Sequence, residues 1–187
     1  MKNVIGVTLV LFAAGIASAQ PPQPNAAPQK VTLAAGLQRS YNNLKTNLTQ
    51  SAEKMSEADY AFKPTPDVRS FGQLFGHVAN SQYNACSAVK GEANPNQGND
   101  LEKKTTKAEF TKALADSFAY CDAAFASLTD ENAGQLVKQG QNEVARASIL
   151  ANVIAHGNEM YGTNVVYLRL KGIVPPSTER AQQTRRP

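Results

Sequence analysis

Histidine and cysteine are scarce in this 187-residue chain, with two of each. Neither cysteine stands in a C-x-x-C pair, so a thioredoxin-like dithiol site has no support. No glycine-rich phosphate loop occurs. Ser117, Ser127 and Ser148 fall within helical patterns rather than on a G-x-S-x-G turn, which removes the strained elbow a serine hydrolase needs. Basic residues are not clustered on one face with aromatics between them, so no nucleic-acid partner is expected. The formal charge of +4 falls by one if Lys2 is removed, and Arg180, Arg185 and Arg186 gather in the terminal stretch STERAQQTRRP, leaving the body of the chain close to neutral.

Long apolar runs are equally few. The opening MKNVIGVTLVLFAAGIASAQ joins a positive Lys2, an apolar stretch from Val4 to Ala17 and the small triplet Ala17-Ser18-Ala19, the form of a secretory signal peptide. Residues 1–19 are therefore expected to be cleaved, and the mature protein to be periplasmic or secreted from a bacterium. An uncleaved anchor is the alternative, but the run is short for a membrane span, and no stable span is expected after cleavage. Residues 20–31, rich in Pro, Gln, Asn and Ala, read as a flexible linker. About 168 residues remain, enough for one domain with its own core.

What is present is helical periodicity. Leu33, Leu37, Tyr41, Leu44, Leu48 and Met55 recur mostly three and four residues apart and predict a first helix beginning near Thr32. Pro64 and Pro66 break SEADYAFKPTPDVR into a connection. Ser70 and Gln73 have capping-box spacing, so a second helix should run to about Lys90 and stop at Gly91. Thr106 and Glu109 repeat the device before a third helix carrying Phe110, Leu114, Phe118, Cys121, Phe125 and Leu128. After a polar connection through LVKQGQNE, a fourth helix is expected from about Val144 to Lys171, ended by Gly172 and Pro175-Pro176. The expected fold is an all-α four-helix bundle over residues 32–176, with 177–187 a flexible basic tail.

An exported chain with two cysteines meets an oxidising compartment, which predicts a Cys86–Cys121 disulfide. Cys86 lies 16 residues past Ser70 and Cys121 lies 15 past Thr106, equal heights only if the second and third helices run parallel. An antiparallel hairpin would hold them about 20 Å or more apart. Parallel helices need a crossover, and residues 91–105 span up to about 50 Å, enough to return along a helix of about 30 Å. Two reduced cysteines in the core are the alternative.

The segments FKPTPDVRSFGQLFGHVAN, SFAYCDAAFASLTD and IAHGNEMYGTNVVYLRLKGIVPPS resemble the DinB-like superfamily of four-helix bundles, over about residues 32–178. The resemblance implies that fold with its long crossover between helices 2 and 3, a homodimer, and a divalent metal (Zn, Ni or Fe) held by three histidines, one on the second helix and an H-x-x-x-H pair on the last. Some such proteins are metal-dependent thiol transferases or hydrolase-like enzymes. The matching positions here are His77, His156 and Met160, so the third imidazole is replaced by a thioether.

Residues four apart share a helix face, so Met160 holds the ligand position with a different donor. A thioether is soft and suits Cu(I) better than Zn, Ni or Fe(II). Glu159 is the candidate substitute, but it sits about 60° around the helix from His156, because each residue advances about 100°. Against these readings stand plain ones: hydrogen-bonded interior histidines, a methionine filling core space and a solvated glutamate. The expected function is an exported bundle whose altered metal pocket binds a divalent ion weakly or not at all, or takes a small-molecule ligand. A metal-dependent enzyme using His77 and His156 and a non-catalytic homodimer are the alternatives.

Overall fold

The computed structural model describes residues 30–185, which from Val31 onward form one compact unit. The expected signal peptide and nearly all of the expected linker lie outside the described residues.

Helix α1 spans Leu33–Lys54. The Thr32 hydroxyl accepts from the Ala35 N–H, and the Asp130 carboxylate accepts from Ala34, so two of the unpaired first-turn donors are satisfied. Helix α2 spans Phe71–Lys90 and α3 spans Lys107–Ala126, and both capping boxes read from the sequence are formed, by Ser70 with Gln73 and by Thr106 with Glu109. Gly91 closes α2 in the left-handed region with φ 69°, which a side chain disfavours. Helix α4 spans Arg146–Leu170.

Contacts between named residues set the directions. Gly72 near the start of α2 meets Phe110 near the start of α3, and Cys86 is bridged to Cys121 with Cα atoms 5.3 Å apart, so α2 and α3 run parallel. Tyr41 of α1 packs on Phe118 and Phe125, while Lys107 reaches the carbonyls of Glu53 and Met55, so α1 is antiparallel to α3. Tyr167, late in α4, donates to the Arg69 carbonyl just before α2, and Arg146, at the start of α4, donates to the Val89 carbonyl near the end of α2. Helices α2 and α4 are therefore antiparallel. The bundle is α1 and α4 one way, α2 and α3 the other, with residues 91–106 as the crossover.

Two expectations need correction. The connection LVKQGQNE is not irregular: β1 (Leu136–Gln139) pairs antiparallel with β2 (Asn142–Ala145), Val137 opposite Val144, around Gly140 at φ 62°. Val144 thus belongs to a strand, and α4 starts two residues later than expected. The basic tail is not wholly a tail either. Helix α5 spans Pro176–Gln183, begun by a proline that needs no donor in a first turn. Glu179 pairs with Lys54 at 2.6 Å, and Arg180 donates to Gln50 and Asn47 of α1, so side chains remote in sequence fix a segment that looks solvated in isolation.

The main core cluster has Tyr41, Leu48, Met55, Phe71, Phe75, Phe118 and Leu150 among its fully enclosed members, and a small second cluster joins Ala79, Leu101 and Ala113 where the crossover meets α2 and α3. Tyr60 lies edge-on to Phe71 and its hydroxyl donates to the Ala52 carbonyl at 2.6 Å, while burial pushes its ionisation above the usual range. No helix among the described residues is long and apolar enough to cross a membrane.

Candidate metal centre

His77 sits in the second turn of α2 and His156 in the middle of α4. Because those helices are antiparallel neighbours, the two imidazoles meet with ring centroids 5.0 Å apart at 63°. The structure thus brings together the two histidines that the sequence separates by 79 positions. Both are half-buried rather than sealed in the core.

A glycine beside each histidine lets a further element pack closely on its helix. Gly76 lets the crossover backbone lie directly on α2: a Cβ there would stand 2.6 Å from the Leu101 carbonyl carbon and 2.8 Å from the Glu102 nitrogen. Gly157 lets Leu44 of α1 press on α4, since a Cβ would stand 3.1 Å from Leu44 Cδ1.

The close passage of the crossover delivers Glu102, the site residue that sequence reasoning missed. Its Oε1 accepts from His77 Nδ1 at 2.6 Å, and its Oε2 accepts from Arg69 Nε at 2.8 Å. A carboxylate only accepts, so His77 carries a proton on Nδ1 and donates it to Glu102. No local pattern marks Glu102. It lies in a polar loop 25 residues from His77, and the one legible hint is that a crossover returning along α2 must pass its N-terminal half.

Met160 lies one turn beyond His156 on α4 and is buried, with 8 % of its surface exposed. Glu159 is exposed. Its charge favours the protonated form of His156, but burial and the neighbouring positive groups at His77 and Arg69 oppose it, and the balance holds the imidazole below the usual histidine range. His156 is accordingly neutral at pH 7.

Glu159, Met160 and Glu102 line one cleft of about 1000 Å³, whose other walls are the 63–69 connection, Gln73 and Leu74 of α2, and Thr163, Val166 and Tyr167 of α4. Pro64, Val68, Leu74, Met160, Val166 and Tyr167 give it an apolar side. Lys63, Arg69, Asp67, Glu102 and Glu159 supply charge of both signs.

The donor set does not fit a three-histidine divalent site. Among the described residues, no group of three or more His, Cys, Asp and Glu side chains stands where one ion could be held. Glu102 already accepts from two cations or donors, and recruiting it as a ligand would strip Arg69 or His77 of its partner. Both cysteine sulfurs are committed to the Cys86–Cys121 bridge, which accounts for every cysteine in the chain.

A bundle with this crossover and a histidine pair between its second and fourth long helices defines the class: a helical bundle with an inter-helix pocket. The model of the DinB superfamily matches residues 41–162, well over half the chain, and the protein belongs to that superfamily. Among solved structures, a DinB-like protein from Bacillus cereus is similar with TM-score 0.63 and 14 % identity, covering 75 % of this chain and 94 % of that one. A DinB-like protein from Bacillus subtilis gives 0.58 and 20 %, covering 73 % and 92 %. A conserved protein from Enterococcus faecalis gives 0.58 and 16 %, covering 73 % and 95 %. These likenesses concern the fold. No curated protein matches.

Proposed function

We propose that this chain is an exported binding module of the DinB superfamily, whose cleft holds a small amphipathic ligand and whose histidine pair binds divalent metal weakly. One observation carries the reading: the corner completed by an imidazole in the three-histidine pattern is Met160, and the nearest carboxylate, Glu102, is occupied on both oxygens. Tight divalent sites use three protein ligands oriented by hydrogen-bonded partners. Two imidazoles and one such hydrogen-bonded partner support weak rather than tight binding.

Restoring the third imidazole is the direct test. Met160→His places a second imidazole on the His156 face, one turn on. Calorimetric titration with Zn or Ni should show weak or no binding by the parent and binding at least about tenfold tighter by Met160→His, with His77→Ala removing the gain. A parent that holds one equivalent of Zn or Ni tightly would overturn the reading and favour a metal-dependent enzyme. For the cleft, the fluorescent probe anilinonaphthalene sulfonate should light up on the parent and lose signal with Val166→Lys, which sets a charge on the exposed part of the apolar wall.

A further inference from the structure

We propose that His77, His156 and Met160 form a binding site for one monovalent copper ion. The inference rests on the reading of this corner as an altered metal pocket and names the metal that the alteration suits.

The donors are the first argument. Two imidazoles and a thioether are borderline and soft ligands, and monovalent copper takes such sets, including low-coordinate ones, where Zn, Ni and Fe(II) call for further imidazole or carboxylate. The chain has three methionines. Of the two in the described residues, Met55 is fully enclosed at the end of α1, and Met160 stands one turn from His156 and lines the open cleft. The thioether nearest the histidine pair is therefore also the one a solute can reach.

Charge is the second. Glu102 faces the pair, but its carboxylate is offset by Arg69 at 2.8 Å, so the immediate surroundings carry little net negative charge. The cost of bringing an ion out of water rises with the square of its charge, so a half-buried corner with no uncompensated carboxylate penalises a divalent ion about four times as much as a monovalent one. Glu159, the remaining acid, is exposed.

Orientation is the third. Glu102 accepts the Nδ1 proton of His77 at 2.6 Å, the carboxylate–histidine arrangement that fixes a ligand's tautomer and leaves Nε2 for the ion. Thiolates, which would outcompete all of these for copper, are absent from the described residues because Cys86 and Cys121 are bridged.

The test uses the mature, disulfide-intact protein, with monovalent copper supplied as its bicinchoninate complex under ascorbate and thiol alkylation verifying that no free cysteine forms. The parent should withdraw one copper per chain, and Met160→Leu, close in volume and shape, should weaken that affinity about tenfold or more. Circular dichroism checks that the variant folds. Should it not fold, copper X-ray absorption on the parent decides alone, through the presence or absence of a sulfur neighbour. No copper withdrawn by the parent, equal affinities in parent and Met160→Leu, or a sulfur-free copper shell would each overturn the proposal. These failures are distinct from failure of the binding-module reading, which falls only if the parent binds Zn or Ni tightly. A parent that binds neither copper nor Zn refutes the copper site and leaves that reading standing.

Discussion

Helix α2 has two working faces with opposite characters. Cys86 follows His77 by nine residues, and at about 100° per residue the two point to opposite sides of the helix. On the Cys86 side, α2 meets α3 through a bridge and groups that are almost wholly enclosed: Cys86, Cys121 and Ser117 show no exposed surface, and Ser117 donates to the Gln82 side chain at 2.8 Å. On the His77 side it meets α4 and the crossover through half-buried polar groups beside an open cleft. The closed face sets the direction of α3 and the length of the crossover. The crossover then carries Glu102 to the open face, so the covalent and packed side of the helix positions the chemistry on the other.

The largest expected effect comes from cutting the closed face. The Cys86–Cys121 bridge spans a sequence separation of 35. In the chain-entropy account, constraining such a loop contributes about 4 kcal/mol. Replacing both cysteines by alanine should lower stability by about that amount in urea unfolding, with the two small core gaps adding to the loss. His77→Ala, on the open face, should cost less than about 1 kcal/mol, because its contact with Glu102 is part-exposed. Equal losses from the two changes would break the contrast between the faces.

Gly76→Ala gives a smaller effect and sharpens how the two faces communicate. Its Cβ would run into backbone at Leu101 and Glu102, which cannot rotate aside as a side-chain tip can. Overpacking of this kind costs about 1–3 kcal/mol, and the helix preference of alanine over glycine returns about 0.5–1 kcal/mol. The net expectation is a loss of roughly 1–2 kcal/mol by chemical denaturation, together with weaker metal binding in a Met160→His background, because the displaced crossover takes Glu102 from His77. A variant as stable as its parent would show that the crossover yields freely.

Legibility from sequence follows the same division. The features set by local chemistry were readable: the caps at Ser70 and Thr106 depend on residues three apart, and the parallel course of α2 and α3 follows from counting each cysteine's height above its cap. Features made by distant partners were not. The hairpin was hidden because the apolar residues of its two short strands are adjacent rather than alternating, Leu136 opposite Ala145 and Val137 opposite Val144. Helix α5 was hidden because Glu179 and Arg180 find Lys54, Asn47 and Gln50 some 125 to 133 residues away. At the histidine pair, the approach of His77 and His156 was expected from resemblance, and nothing in the chain's local pattern could reveal that Glu102 would hold His77 while Glu159 stayed in the cleft.

The smallest effect expected is a dependence of stability on pH centred on His156. Its folded-state ionisation lies below the ordinary value of 6.5, chiefly through burial and secondarily through the charge of His77, with Glu159 opposing and Arg69 adding to the depression. Well above pH 6.5 the imidazole is neutral folded or unfolded and contributes nothing. As pH falls through 6.5 the unfolded chain takes up the proton more readily than the native one, so stability declines, and the decline ends once pH passes below the depressed native value. Carboxylates held low by hydrogen bonds, Glu109 at the α3 cap and Asp130 at the α1 cap, also lose stabilisation on acidification, but at pH below the ordinary carboxylate range, so their contribution falls later in the titration. His156→Gln removes the imidazole while keeping a polar side chain. Between pH 8 and about pH 5.5, melting temperatures of the parent should fall faster than those of His156→Gln, with the two curves parallel above pH 7. Curves parallel across the whole range would mean that water reaches His156 as freely in the bundle as in the unfolded chain, and the open face of α2 would then be more open than its packing against α4 indicates.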